Sequence, residues 1–184
     1  MNKKSAIHYF NGFTIIELMI TIVIAAILIG VAIPSFTELI RDNQTATQSA
    51  RFIADLNMAR SEAVKRGINV FVCKSSDRAT CTNGSNWESG WLVIADADRD
   101  AGFDAGAVLH VNQGLDANFT LRASQGNFNN WVRYDSNGAA NGDGGGNSET
   151  FKLCRPDANT AESRQIDITA TGRVNLKEGT AACP

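Results

Sequence analysis

The sequence predicts an α+β protein in which one long N-terminal helix precedes an antiparallel β-sheet domain. Three observations predict it: an apolar run of 21 residues near the N-terminus, an apolar pattern at spacings of three and four that continues to Gly67, and short β-rich segments separated by Gly, Asn, Asp and Ser. With 184 residues, 43% of them hydrophobic and 20% charged, the chain can bury a core. A formal net charge of -2 excludes a globally basic, nucleic-acid-binding surface.

The apolar run covers residues 13–33 and contains a single charge, Glu17. At about 1.5 Å per residue it spans ~31 Å, the thickness of one bilayer core. Because Lys3 and Lys4 precede it without an acid, we expect a cytoplasmic N-terminus and an exported domain after Pro34. A cleaved signal peptide fits less well, since its apolar region usually has only ~7 to 15 residues.

The helical pattern continues beyond the membrane run, through Phe36, Leu39, Ile40, Ala46, Ala50, Ile53, Leu56, Ala59 and Ala63. This half is apolar on one stripe only, which predicts that it packs on a domain. The helix is expected to end at Gly67, after two cations that suit a helix C-terminus. Pro34, four residues after Gly30, predicts a position where the helix bends or unwinds most easily.

Glu17 needs an explanation, because an acidic side chain at mid-membrane costs roughly 2.5 to 3.5 kcal/mol even on mild insertion scales. One interpretation is a carboxyl group that snorkels to the surface or stays protonated. The other is a carboxylate that receives a cation from another helix. The residues by themselves leave both open.

The segment Gly12-Phe13-Thr14-Ile15-Ile16-Glu17-Leu18 resembles the processing site of type IV pilins and type II secretion pseudopilins. The resemblance implies that prepilin peptidase cuts after Gly12 and methylates the new amino group of Phe13. Loss of the leader removes Lys3 and Lys4 and changes the formal net charge from -2 to -4. It also implies that Glu17 meets the amino terminus of a neighbouring subunit during filament assembly; contact with its own Phe13 is the competing interpretation.

After Gly67 the pattern predicts eight strands in an antiparallel meander: residues 68–73, 91–95, 108–111, 119–123, 131–134, 150–154, 165–170 and 173–176. The Ala-rich helix stripe would let such a sheet pack closely. The glycine-rich residues 138–147 predict a flexible loop. They do not suit a phosphate-binding loop, because no strand-to-helix junction and no Lys follow.

Three later segments are similar to the FimT/FimU and GspH group of minor pilins: Ala59-Arg60-Ser61-Glu62-Ala63, Gly90-Trp91-Leu92-Val93 and Thr169-Ala170-Thr171-Gly172-Arg173-Val174. This resemblance implies the type IV pilin fold. The expected organisation is a leader at 1–12, a membrane and filament-core helix at 13–34, an amphipathic helix half at 35–66 and a β-rich periplasmic domain at 67–184.

The four cysteines of an exported chain predict two disulfides, and three pairings are possible. We favour Cys73 with Cys81, across a short polar loop, and Cys154 with Cys183, which joins a strand to the tail. No paired C-x-x-C spacing is present, so no metal site is expected at the cysteines.

Residues 96–102 resemble the start of a calcium loop, with acids at Asp96, Asp98 and Asp100. The pattern then fails, because Ala101 and Ala107 stand where an EF-hand has Gly and Glu. A solvated hairpin turn is the favoured interpretation. His8 lies in the leader, His110 in a predicted strand, and no nucleophile motif occurs, so we expect neither enzyme activity nor a cofactor.

The resemblance implies a minor pilin that initiates or caps a type IV pilus at the cell surface, with inner-membrane localisation before assembly. The implied partners are other minor pilins, the major pilin, prepilin peptidase and the inner-membrane assembly platform. A type II secretion pseudopilin is an alternative. DNA uptake is another, because some members of the group bind DNA through Gly-Arg-x-Arg. Here Asn175 replaces the second Arg, so Arg173 and Lys177 predict weak, salt-sensitive DNA binding at best.

Overall fold

The computed structural model describes residues 12–84, 86–98, 107–116, 118–157, 162–179 and 183. It divides into two compact units, Met1–Arg41 and Asp42–Pro184. One helix, α1 (Ile15–Arg66), contributes to both units. It ends where the sequence predicts, since Gly67 has a positive φ of 66° and its N–H donates to the Ala63 carbonyl at 2.9 Å.

In the first unit the apolar side chains of α1 are exposed, including Phe36, Leu39 and Ile40 after the membrane run. By length and composition, α1 is the one helix among the described residues that could cross a membrane. It remains helical through Gly30 and Pro34. A bend at these two residues stays a prediction.

The second unit holds two antiparallel sheets. The strands are β1 (Val70–Lys74), β2 (Trp91–Ala95), β3 (Val108–Asn112), β4 (Thr120–Ala123), β5 (Trp131–Tyr134), β6 (Ala140–Gly142), β7 (Glu149–Cys154), β8 (Arg164–Ile168) and β9 (Val174–Glu178). The first sheet has the order β3-β2-β1-β5-β6, and the second has the order β4-β7-β8-β9. All eight predicted strands are present, with their bounds shifted by up to two residues.

Two expectations about the strands are wrong. The strands do not form one meander, because β1 pairs with both β2 and β5 while β4 joins the other sheet. Residues 138–147 are not a simple loop, because β6 lies within them. Gly142 donates to the Gly146 carbonyl and Gly144 to the Asn127 carbonyl, each at 2.9 Å. A Cβ on either glycine would meet the backbone of residues 126–127, so the glycines allow two segments to approach closely.

The core of the second unit lies between α1 and both sheets. Phe52 stands at its centre, with edge-to-face contacts at ring-centroid distances of 5.6 Å to Trp87, 5.0 Å to Trp91 and 5.0 Å to Phe151. The buried positions of α1 here are Thr45, Gln48, Ser49, Phe52, Asp55, Leu56, Ala59 and Ala63. Ala46 and Ala50, which we expected on this stripe, are exposed, so the packed face differs from the prediction in its first two turns.

Both disulfides have the favoured pairing. Cys73 is bonded to Cys81 with a Cα–Cα distance of 5.6 Å, and Cys154 to Cys183 with 5.8 Å. The four cysteines of the sequence are thereby all paired.

Candidate functional site

The first candidate site is the start of α1. Glu17 donates its backbone N–H to the Thr14 hydroxyl oxygen at 3.3 Å, and Thr14 donates its N–H to a Glu17 carboxylate oxygen at 3.5 Å. This reciprocal arrangement is a capping box, which satisfies two N–H groups that a helix start leaves unpaired. The carboxylate also lies at the positive end of the helix dipole. Glu17 therefore has polar contacts within its own chain, although it lies in an apolar segment.

The predicted cleavage residues lie just before this cap. Gly12 and Phe13 precede the helix, and the Phe13 side chain is 81% exposed. The described contacts of Glu17 go to Thr14 and not to Phe13. The sequence analysis missed the role of Thr14, although the spacing T-x-x-E is a capping-box signature that could have indicated it.

A second group of side chains fixes α1 to the first sheet. Asp55, only 7% exposed, accepts hydrogen bonds from Trp91 Nε1 at 2.8 Å and Asn112 Nδ2 at 3.1 Å. Its other oxygen lies 3.5 Å from His110 Nε2. About two turns earlier, Gln48 Nε2 donates to Asp116. A buried carboxylate with several donors holds the helix in one register on the sheet.

Arg60 joins α1 to two turns. Its Nε donates to the Gly138 carbonyl at 3.0 Å, in the turn between β5 and β6, and its Nη2 to the Thr171 carbonyl at 3.1 Å, in the turn between β8 and β9. Gly172 has a positive φ of 73°, and a Cβ there would press on the Gly138 carbonyl oxygen. The Gly172-Arg173 segment is thus a tight turn packed against its neighbours. Burial raises the pKa of the adjacent Tyr134 phenol well above its usual range.

The two DNA-binding candidates differ in environment. Arg173 is exposed at the turn before β9. Lys177 is ion-paired with Asp167, with 2.7 Å between Nζ and Oδ2. Burial alone would raise the pKa of Asp167, but hydrogen bonds from Lys177, Gln165 and Thr150 outweigh it, so the pKa lies below its usual value. Lys177 would have to exchange this partner for a phosphate.

The possible calcium segment is only partly described. Asp96 is fully buried and accepts a hydrogen bond from Asn69 Nδ2 at 3.0 Å. Residues 99–106, including Asp100 and Ala101, lie outside the described residues. Within the described ranges, no group of three or more His, Cys, Asp or Glu side chains has an arrangement that could hold a metal ion. β2 and β3 pair antiparallel across this segment.

Two protein-family models match parts of this chain. The model of the family described as "Type II transport protein GspH" matches residues 48–172, which is more than half of the chain. The chain belongs to the GspH family. A second model, the prokaryotic N-terminal methylation motif, matches residues 7–33 and includes the capping box of Thr14 and Glu17. No curated protein matches this GspH-family chain.

Solved structures share the fold of this GspH-family chain. The type IV minor pilin FimU of Pseudomonas aeruginosa matches in two crystal forms. In space group P21 it has 22% identity and a TM-score of 0.58, over 80% of this chain and 96% of FimU. In space group P65 it has 20% identity and a TM-score of 0.55, over 74% of this chain and 95% of FimU. The minor pseudopilin EpsH of the Vibrio cholerae type 2 secretion system has 13% identity and a TM-score of 0.52, over 73% of this chain and 97% of EpsH. The predicted α+β pilin fold is confirmed.

Proposed function

We propose that this GspH-family protein is a minor pilin that prepilin peptidase cleaves after Gly12 and methylates on Phe13, and that enters a type IV pilus. In the pilus it helps to initiate assembly or forms part of the tip complex. The observation that carries the proposal is a methylation motif at residues 7–33 on the same helix that enters a domain with the fold of FimU.

The mechanism is non-covalent after processing. The apolar half of α1 holds the subunit in the inner membrane, with the domain in the periplasm, until the assembly platform extracts it. Its exposed apolar side chains, among them Ile20, Ile24 and Leu28, then become part of the filament core. The role is structural rather than enzymatic, with other minor pilins and the major pilin as partners.

Glu17 sets the position of the subunit in this mechanism. After cleavage the free amino group of Phe13 can carry a positive charge. Such a cation on a neighbouring subunit can pair with the Glu17 carboxylate within lipid. Until that partner arrives, the Glu17 carboxylate accepts a hydrogen bond from the Thr14 N–H.

Replacement of Glu17 by Ala tests the proposal. We expect the variant to be processed and folded but absent from sheared surface pili, because its helix offers no carboxylate to the incoming amino group. Immunoblots of the sheared and membrane fractions measure this. Glu38→Ala, at an exposed position of the same helix, is the control and should enter pili normally. Normal incorporation of the Glu17 variant would contradict the proposal.

A second candidate is a minor pseudopilin of type II secretion, which the family description and the fold of EpsH favour. Both candidates use the same N-terminal chemistry. Deletion of the gene separates them: loss of surface pili with normal protein secretion supports the pilus. Loss of secretion with normal pili supports the pseudopilin.

A further inference from the structure

The face of the second sheet that points away from the core is polar apart from Cys154, which lies opposite Thr120 and is bonded to Cys183. Along β4, β7 and β8, buried residues such as Leu121, Phe151, Leu153 and Ile166 alternate with half-buried polar ones. We call this surface the outer face; it consists of Thr120, Arg122, Thr150, Lys152, Gln165, Asp167, Asn175 and Lys177. Side-chain hydrogen bonds from Thr150 and Gln165 to Asp167, each of 2.9 Å, place these residues on one side.

The strand register puts three cations of the outer face in one row. Arg122 is directly opposite Lys152, Lys152 is opposite Gln165, and Gln165 is opposite Lys177. Like charges directly opposite each other on neighbouring strands destabilise a sheet. Three cations stand against one carboxylate on this face, although the domain that carries it belongs to a chain with a net negative charge. Arg122 and Lys152 therefore repel each other, and this pair does not stabilise the sheet.

Two of the three cations already form ion pairs with carboxylates of this chain. Arg122 contacts Glu88 from the short helical turn Trp87–Ser89, and Lys177 contacts Asp167. Lys152 lies between them and has no ion pair with any described residue.

These features define the chemistry of a partner. The outer face presents no aromatic or aliphatic anchor, so recognition has to depend on charge and hydrogen bonds. Its excess of one to two positive charges, counted with and without Glu88, suits a small group of carboxylates. It is small for a nucleic-acid backbone, whose binding depends on many phosphate contacts.

We propose that the outer face of the second sheet, centred on Lys152, docks on a carboxylate-rich surface of a neighbouring pilin subunit. That the partner is a pilin rests on the proposed function; that it is acidic rests on the geometry alone. Carboxylates of the partner pair with Lys152 and share Arg122 and Lys177 with Glu88 and Asp167. The contact is electrostatic and weakens as salt screens it.

Binding of the full-length chain in non-ionic detergent micelles to fluorescent poly-L-glutamate tests the chemistry. We expect binding at about 20 mM salt that weakens about tenfold by about 150 mM. Lys152→Glu should weaken low-salt binding about tenfold, because it reverses the central charge. Arg51→Glu makes the same change of net charge at an exposed position of α1 and should stay within about twofold of wild type.

A variant that binds more tightly is a useful second test, because misfolding cannot explain tighter binding. Glu88→Gln releases Arg122 while its side-chain oxygen can still accept from the Leu121 N–H, and should tighten binding about threefold. Three results would overturn the proposal: no wild-type binding at low salt, equal losses in Lys152→Glu and Arg51→Glu, or tighter binding to double-stranded DNA than to poly-L-glutamate. The assay needs no filament. Failure of the Glu17 experiment would therefore remove the pilin partner and leave the acidic docking surface standing.

Discussion

At the scale of single residues, polar side chains determine how α1 sits on its domain. Asp55, Gln48 and Arg60 all project from the helix into contacts with strands or turns. An apolar stripe alone allows a helix to rotate or slide on a sheet, whereas a buried carboxylate with fixed donors favours one register. Removing these polar groups from water costs free energy, and the hydrogen bonds with their partners offset that cost.

Replacing Asp55 by Ala should lower the free energy of unfolding by about 1 to 3 kcal/mol. The variant leaves the indole N–H of Trp91 and the amide of Asn112 without their acceptor in a buried site. Chemical denaturation of the full chain in micelles, followed by tryptophan fluorescence, measures the change.

Asn57→Ala, at an exposed position of the same helix, is the matched control and should change stability by less than about 0.5 kcal/mol. Equal stabilities for the two variants would show that the Asp55 contacts do not fix the helix.

At the scale of elements, the second sheet is stabilised by charge on its outer side and by apolar packing on its inner side. Asp167 on β8 receives hydrogen bonds from Thr150 on β7 and an ion pair from Lys177 on β9. One carboxylate thereby links three strands. Because these partners favour its charged form, the folded domain binds a proton at Asp167 less readily than the unfolded chain does.

This linkage predicts a pH dependence. The pKa of Asp167 is lower in the folded state than its unfolded value of about 3.9. Its contribution to stability is therefore complete well above pH ~4 and is lost as the pH falls through the folded pKa. In Asp167→Asn this contribution is absent. Unfolding curves from about pH 7 to about pH 2 should show the wild type more stable at neutral pH and the difference shrinking below about pH 4. A difference that is the same at all pH values would contradict it.

The elements also show where sequence patterns fail. Eight strands and the end of α1 at Gly67 could be predicted, because alternation and capping are local properties. β6 could not, since its three residues lie in a glycine-rich segment whose order depends on pairing with β5 and on close contact with residues 126–128. Ala46 and Ala50 are exposed, although their spacing continues the apolar pattern of the first half of α1.

At the scale of the whole molecule, one disulfide ties a loop to the first sheet and the other ties the C-terminal tail to the second sheet. Cys73–Cys81 closes a separation of 8 residues next to β1, and Cys154–Cys183 closes one of 29 between β7 and the tail. Cross-links that close longer loops restrict the unfolded chain more.

Cys154→Ser with Cys183→Ser should therefore destabilise the domain by about 2 to 4 kcal/mol, and by more than Cys73→Ser with Cys81→Ser does, since the longer loop is released. Thermal unfolding of each variant measures the order. Both cysteines of a pair are replaced together so that no free cysteine is left to mispair. A smaller effect for the 154–183 pair would show that the tail adds no constraint.

The sequence by itself determined the long apolar helix, its end at Gly67, the N-terminal motif at residues 7–33, most strands and the family resemblance. All of these depend on neighbours along the chain or on periodicity. The division into two sheets, the contacts of Asp55 and Arg60, and the cation row through Lys152 were decided only by the tertiary structure. They depend on strand order and register between segments far apart in sequence, and the position of one side chain opposite another has no signal in local spacing.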